Sequence, residues 1–131
     1  MRNVSVLLKS TSLAISLILF GCAKPSVVAD YGTYPSDYEE LAKERITDKL
    51  IDPESARFRF GEPVKAYVNN GLIYGGNVVF TGYVVPVMVN AKNRMGGYTG
   101  FDEWYCLVKY KFTSDCMSGS YRESPLIHAL R

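Results

Sequence analysis

The chain has 131 residues, 47% hydrophobic and 21% charged, with 15 Lys and Arg against 13 Asp and Glu, one His and a formal net charge of +2. That length suits a single domain, and a charge so close to balance excludes the basic surface by which proteins hold nucleic acid. Ten tyrosines, six phenylalanines and a tryptophan supply apolar area for a core, and with the many valines they lean towards strands.

Residues 1–9 carry Arg2 and Lys9 and no acid, and residues 10–20 carry no charge. A spanning helix needs about 20 apolar residues. The eleven present here have the length of a secretory signal's apolar stretch. The run ends in Leu19-Phe20-Gly21-Cys22-Ala23. This resembles the lipobox of bacterial lipoproteins, with an aliphatic residue three before the cysteine and a small one just before it, as Leu19 and Gly21 are. The resemblance implies a diacylglyceryl thioether on Cys22, cleavage after Gly21 and acylation (palmitate or a similar chain) of the new amine. That covalent lipid is the one non-protein group expected. Two or more chains hold stably, since each buried CH₂ contributes about 0.8 kcal/mol. The alternatives are an ordinary secretory signal and an uncleaved membrane helix. Ala23, where Asp would argue for inner-membrane retention, implies the outer membrane, facing the periplasm.

On this reading residues 1–21 are a signal peptide, 22–34 a lipidated flexible tether with Pro25, Ser26, Gly32 and Thr33, and 35–131 one small domain. Removal of Arg2 and Lys9 lowers the basic count from 15 to 13, equal to the acids, so the mature chain is formally neutral.

A helix is predicted to start at Ser36, which forms a capping-box spacing with Glu39. Asp37, Glu39 and Glu40 suit the positive end of the helix dipole. Tyr38, Leu41, Ala42, Ile46 and Leu50 make one apolar face, and Pro53 ends the helix. Residues 57–60 and 64–69 read as extended. Asn70-Gly71 predicts a two-residue hairpin that sets Tyr67 opposite Tyr74. Residues 77–89 form a long β-rich run whose Pro86 predicts an edge strand, a bulge or a split. Residues 94–100 are a glycine-rich loop. Residues 104–112 return as a strand with Trp104, Cys106, Val108, Tyr110 and Phe112 on one side, and Ser124-Pro125 caps a short terminal helix through Leu130. The sum is α+β, one N-terminal helix packed on an antiparallel sheet of about four strands.

Catalytic and metal-binding constellations are missing from the pattern, and no enzyme is expected. His128, the single histidine, lacks partner ligands at workable spacing. Asp102 and Glu103 are neighbours, which in a strand point to opposite faces. Ser118-Gly119-Ser120 has no base or elbow context. Gly75-Gly76 and Gly96-Gly97 lack the ending of a phosphate loop. With Cys22 assigned to lipid, Cys106 and Cys116 remain; an oxidising compartment permits a disulfide, and two independent thiols are the alternative.

Two segments resemble an uncharacterised family of small exported bacterial proteins and lipoproteins, some in mobile elements. They are Asp52-Pro53-Glu54-Ser55-Ala56-Arg57-Phe58 and Val89-Asn90-Ala91-Lys92-Asn93-Arg94-Met95-Gly96-Gly97-Tyr98-Thr99-Gly100-Phe101. The family shares a helix, an Asp-Pro-x-Ser-Ala-x-Phe turn and a Val-Asn-Ala-Lys-Asn-x-x-Gly-Gly-Tyr-x-Gly-Phe stretch, and the resemblance covers roughly residues 37–112. It implies no established activity. Family members often carry a cysteine before the second stretch, where this chain has Val85-Pro86-Val87-Met88.

In an extended segment Asn90 and Lys92 share one face, and Val89, Ala91 and Asn93 the other. Gly96, Gly97 and Gly100 permit positive φ, so that Tyr98 and Phe101 fold back over the sheet. One role for these residues is a demanding turn whose polar side chains satisfy loop amides. The other is a partner or ligand surface made by Asn90, Lys92, Asn93, Gly96, Gly97, Tyr98 and Gly100. The expectation is a non-catalytic membrane-anchored module that binds the bilayer through Cys22 and contacts an envelope or secretion-system protein. The alternative is an inhibitor or immunity lipoprotein acting on a wall hydrolase or toxin.

Overall fold

The structure, a computed structural model, describes residues 29–130. The segment predicted as a signal peptide, Cys22 and the first part of the predicted tether lie outside the described residues.

Among the described residues one α-helix, α1 (Tyr38–Thr47), precedes six strands. These are β1 (Arg57–Phe60), β2 (Val64–Asn69), β3 (Val78–Asn90), β4 (Asp102–Lys109), β5 (Phe112–Ser118) and β6 (Ile127–Ala129). All pairings are antiparallel, in the order β5-β4-β3-β2-β6, with β1 also paired to β3. The fold is therefore α+β, with six strands where about four are predicted.

The apolar face of α1 packs as its spacing predicts. Ala42 and Ile46 are buried against Val85, Val87, Val89, Cys106, Val108 and Cys116, with Tyr38, Leu41 and Leu50 at the margin. The capping box does not form. The N-cap is Asp37, one residue after the predicted Ser36, and it makes no side-chain cap bond; the Pro35 carbonyl accepts from the Tyr38 amide at 3.2 Å. Helical hydrogen bonding gives way after Thr47 to shorter turns, Lys49 to Ile46 and Leu50 to Thr47, well before Pro53.

Pro86 lies inside a central, unbroken strand of thirteen residues, not at an edge. A strand residue directs its N–H and C=O to the same side. The Pro86 carbonyl accepts from the Gly61 amide at 2.8 Å, so the missing donor faces the junction between β1 and β2. Those strands lie end to end along β3, paired at Phe60↔Val87 and Val64↔Val84. The ladder to β4 runs through Pro86↔Tyr105 without interruption.

Three further expectations change. Asn70-Gly71 does not close a two-residue hairpin: the loop widens through a 3-10 turn at Leu72–Tyr74, with Gly71, Gly75 and Gly76 at positive φ, and Asn70 N–H donates to the Asn77 carbonyl at 3.0 Å. Tyr67 consequently faces Thr81 and not Tyr74. The 104–112 strand breaks at Tyr110 (φ 55°), which with Lys111 makes the turn between β4 and β5. Trp104, Cys106 and Val108 face the helix layer, while Phe112 starts the next strand and is exposed. The C-terminal segment forms β6 and not a helix, pairing Ile127 with Val68 and His128 with Tyr67. It covers the edge that β2 would otherwise leave open.

The second face of the sheet buries Ala66, Val84, Tyr105, Leu107 and Tyr121. Cys106 and Cys116, opposite each other on β4 and β5 and fully buried, are joined by a disulfide. Their Cα atoms are 4.0 Å apart. Residues 30–34, predicted to be part of a flexible tether, are instead fastened to the domain. The Asp30 carbonyl accepts from Thr81 Oγ1 and Lys109 Nζ, both at 2.7 Å, and its carboxylate accepts from the Tyr110 hydroxyl.

Candidate functional site

The two motif segments meet at the far end of β3, where β1 closes on it through Arg57↔Asn90. Asp52 and Pro53 open a 3-10 turn ending at Ser55, and Ser55 is the junction. Its Oγ donates to the Asp52 carbonyl at 2.8 Å and accepts from the Lys92 amide at 2.9 Å. Its carbonyl accepts from the Tyr98 hydroxyl at 2.9 Å. Lys92 and Tyr98 also face each other in an isolated antiparallel bridge.

Within the loop Asn93 serves the backbone. Its Oδ1 accepts from the amides of Met95 (2.9 Å) and Gly97 (3.2 Å), and its own amide donates to the Gly97 carbonyl at 2.9 Å. Gly96 and Gly100 hold φ of +78° and +110°, and an added Cβ at either would touch nothing within 4 Å. These glycines are required by the turn's handedness, and neither makes room for a close neighbour.

Alternation along β1 sends Phe58 and Phe60 into the core and Arg57 and Arg59 outward. Arg57 stands 5.1 Å from the Tyr98 ring centre, Lys92 Nζ 5.8 Å from the same ring, and Arg59 4.2 Å from Phe101. Each such cation–ring contact contributes about 0.5–1 kcal/mol at an exposed site. Tyr98 and Phe101 do fold back, held by these cations and by Ser55. Asn90 has a buried Oδ1 without a hydrogen-bond partner, the unsatisfied polar atom of this region. Residues 93–100 are exposed, Met95 at 94%.

Of the residues predicted for the surface, Lys92, Asn93, Gly96, Gly97, Tyr98 and Gly100 are brought together, and Asn90 lies beside them at the end of β3. Ser55, Arg57 and Arg59 join them without having been singled out for the surface. Ser55 and Arg57 belong to the Asp-Pro-x-Ser-Ala-x-Phe segment, and Arg59 follows it by the outward alternation of β1. No local spacing links Ser55 to partners 37 and 43 residues away.

The groups with displaced titrations lie elsewhere, in structural pairs or under the burial of single tyrosines. The Tyr110 hydroxyl, the Gly32 amide and Lys109 hold the Asp30 carboxyl below its ordinary range. Lys49 does the same for Asp115, at 2.6 Å. Tyr34 is pushed up to about 12 chiefly because its hydroxyl donates to the Glu62 carboxylate, and burial raises Tyr105.

His128 and Glu103 are held in structural contacts. His128 stacks on Tyr67 with ring centres 4.7 Å apart, and its Nε2 lies 2.8 Å from Asn69 Nδ2. Glu103 accepts from the Ser120 hydroxyl at 2.9 Å. Among the described residues, no group of three or more His, Cys, Asp or Glu converges to hold a metal. No protein-family model, no curated protein and no solved structure matches the chain.

Proposed function

We propose that the chain is an exported lipoprotein, held on the outer membrane by acyl chains on Cys22 and facing the periplasm. Its folded part is a non-catalytic module that contacts another envelope or secretion component. The contact surface is the end of the domain made by Ser55, Arg57, Arg59, Asn90, Lys92 and the 93–100 loop. What supports it is the convergence of both motif segments on one exposed rim, where three cations stand beside Tyr98 and Phe101. Such aromatic and arginine groupings are enriched where proteins bind proteins. The loop's internal hydrogen bonds give that rim one shape before a partner arrives, which lowers the ordering cost of binding.

A photocrosslinking side chain at Met95, in cells, tests the reading. The expected result is a discrete adduct with one envelope protein, lost when Lys92→Glu and Arg94→Glu are introduced together. An adduct pattern unchanged by those substitutions overturns the surface. Cys22→Ser is expected to abolish incorporation of labelled fatty acid and release the protein from the membrane fraction. Retention of the label would overturn the anchor.

A further inference from the structure

At the opposite end of β3 the loop between β2 and β3 presents Leu72, Ile73 and Tyr74 at 95%, 93% and 75% exposure, with Val78 and Val79 at 55% and 63%. Three consecutive large apolar side chains held almost wholly in water lose their burial energy unless something covers them. The sequence around them is suited to hydrocarbon. From Ala66 to Ala91 there is no charged residue, so entry into a bilayer surface carries no charge out of water. The turn also satisfies much of its own backbone. Tyr74 and Gly76 donate to the Gly71 carbonyl, Gly75 donates to that of Leu72, and Asn70 Nδ2 donates to that of Tyr74. Backbone groups satisfied in this way are what a lipid environment demands.

The flanks have interfacial character too. The turn between β4 and β5 lies at the same end and exposes Tyr110 and Phe112 beside Lys109 and Lys111. Aromatic rings and lysines of this kind settle at the headgroup level. The chain leading back to Cys22 leaves from this end as well, because Asp30 is fastened to Thr81, Lys109 and Tyr110. The eight residue steps from Cys22 to Asp30 reach at most about 29 Å.

We propose that the Leu72–Tyr74 tip inserts into the phospholipid surface that holds Cys22, as a second contact that orients the domain. This rests on the lipid-anchor reading above. The acyl chains hold the protein on the membrane, and the tip fixes which end of the sheet faces it. β3 then rises from the bilayer, and its thirteen residues carry the Lys92–Tyr98 rim about 40 Å outward, towards partners and away from lipid.

The test uses the mature lipoprotein in vesicles of phosphatidylethanolamine and phosphatidylglycerol. An environment-sensitive fluorophore is attached through Ile73→Cys in one sample and Met95→Cys in another. With Cys106 and Cys116 bonded to each other and Cys22 acylated, the introduced thiol is the one that reacts. The label at 73 is expected to be quenched by bromine-bearing lipids and shielded from aqueous iodide; the label at 95 is expected to show the reverse. Leu72→Ser, at a side chain too exposed to affect folding, is expected to shift the docked-to-undocked ratio at 73 about tenfold towards iodide.

Iodide quenching at both positions, with the Cys22 mass still showing acyl chains, overturns the tip and leaves the anchor standing. An unmodified Cys22 mass overturns the anchor, and the proposed orientation with it. A label at 73 that is shielded from iodide and from bromolipid alike means that protein, a second copy of the chain included, covers the tip, which also overturns the proposal.

Discussion

Ser55→Ala removes a single oxygen from the junction of the two motif segments. That oxygen makes two hydrogen bonds, one given to the Asp52 carbonyl and one taken from the Lys92 amide. Each is worth about 1 kcal/mol net. The Lys92 amide, in a half-buried residue, has no substitute acceptor in an alanine side chain. The expected loss is about 2 kcal/mol. With a urea slope of about 1.3 kcal/mol/M for a domain of this size, the unfolding midpoint falls by about 1.5 M. The effect is also local. The bond from the Tyr98 hydroxyl to the Ser55 carbonyl survives, so the loop stays attached while the start of its first arm loosens. Amide hydrogen exchange at Lys92, which loses its acceptor, should accelerate by at least the roughly thirtyfold factor that the global loss imposes on core amides such as that of Val85. Ser55→Thr keeps the hydroxyl and should restore most of both quantities. If Ser55→Ala leaves the midpoint and the Lys92 exchange rate unchanged, Ser55 does not join the segments and the rim is not a single unit.

Cys106→Ala with Cys116→Ala should destabilise by about 3 kcal/mol, the entropy released by opening a ten-residue separation in the unfolded chain; chemical denaturation measures it, and a loss under about 0.5 kcal/mol would contradict it. Gly82→Ala should cost about 1–3 kcal/mol, because its Cβ would lie 2.6 Å from the Val108 carbonyl oxygen and from the Phe80 ring; a neutral thermal melt would refute the close approach. Asp115 has a folded pKa below its unfolded value through Lys49, so its contribution is present above about pH 4 and is lost as pH falls through the lowered folded value. Lys49→Met should flatten that part of the acid-unfolding curve by less than about 1 kcal/mol, since water screens a pair this exposed. Ultraviolet titration should find Tyr34 ionising near 12, and Glu62→Gln should bring it back towards the ordinary tyrosine range.

Local patterns set by near neighbours were readable from the chain. The apolar stripe on α1, the extended character of β1 and β2, the strand around Trp104 and the glycine loop all follow from side-chain periodicity and backbone freedom. The return of Tyr98 and Phe101 towards the sheet was readable as well. Each of these is decided within a few residues, by which positions repel water and which tolerate positive φ.

Contacts between distant residues decided the rest. Asn70-Gly71 carries a hairpin signal, yet Asn77 and two further glycines draw the chain into a wider loop. Pro86 disqualifies a strand interior in general and is accommodated here because its absent N–H faces the seam between two strands that share one side of β3. Ser124-Pro125 suggests a helix start, but an unpaired β2 edge offers the final residues more hydrogen bonds as a strand. Tyr110 turns with positive φ although no glycine marks the place, and Asp30 holds it there from eighty residues away. The meeting of Ser55 with Lys92 and Tyr98 is of the same kind. Sequence determined what each segment prefers, whereas the partners that satisfy its backbone and cover its apolar face exist only once the sheet is assembled.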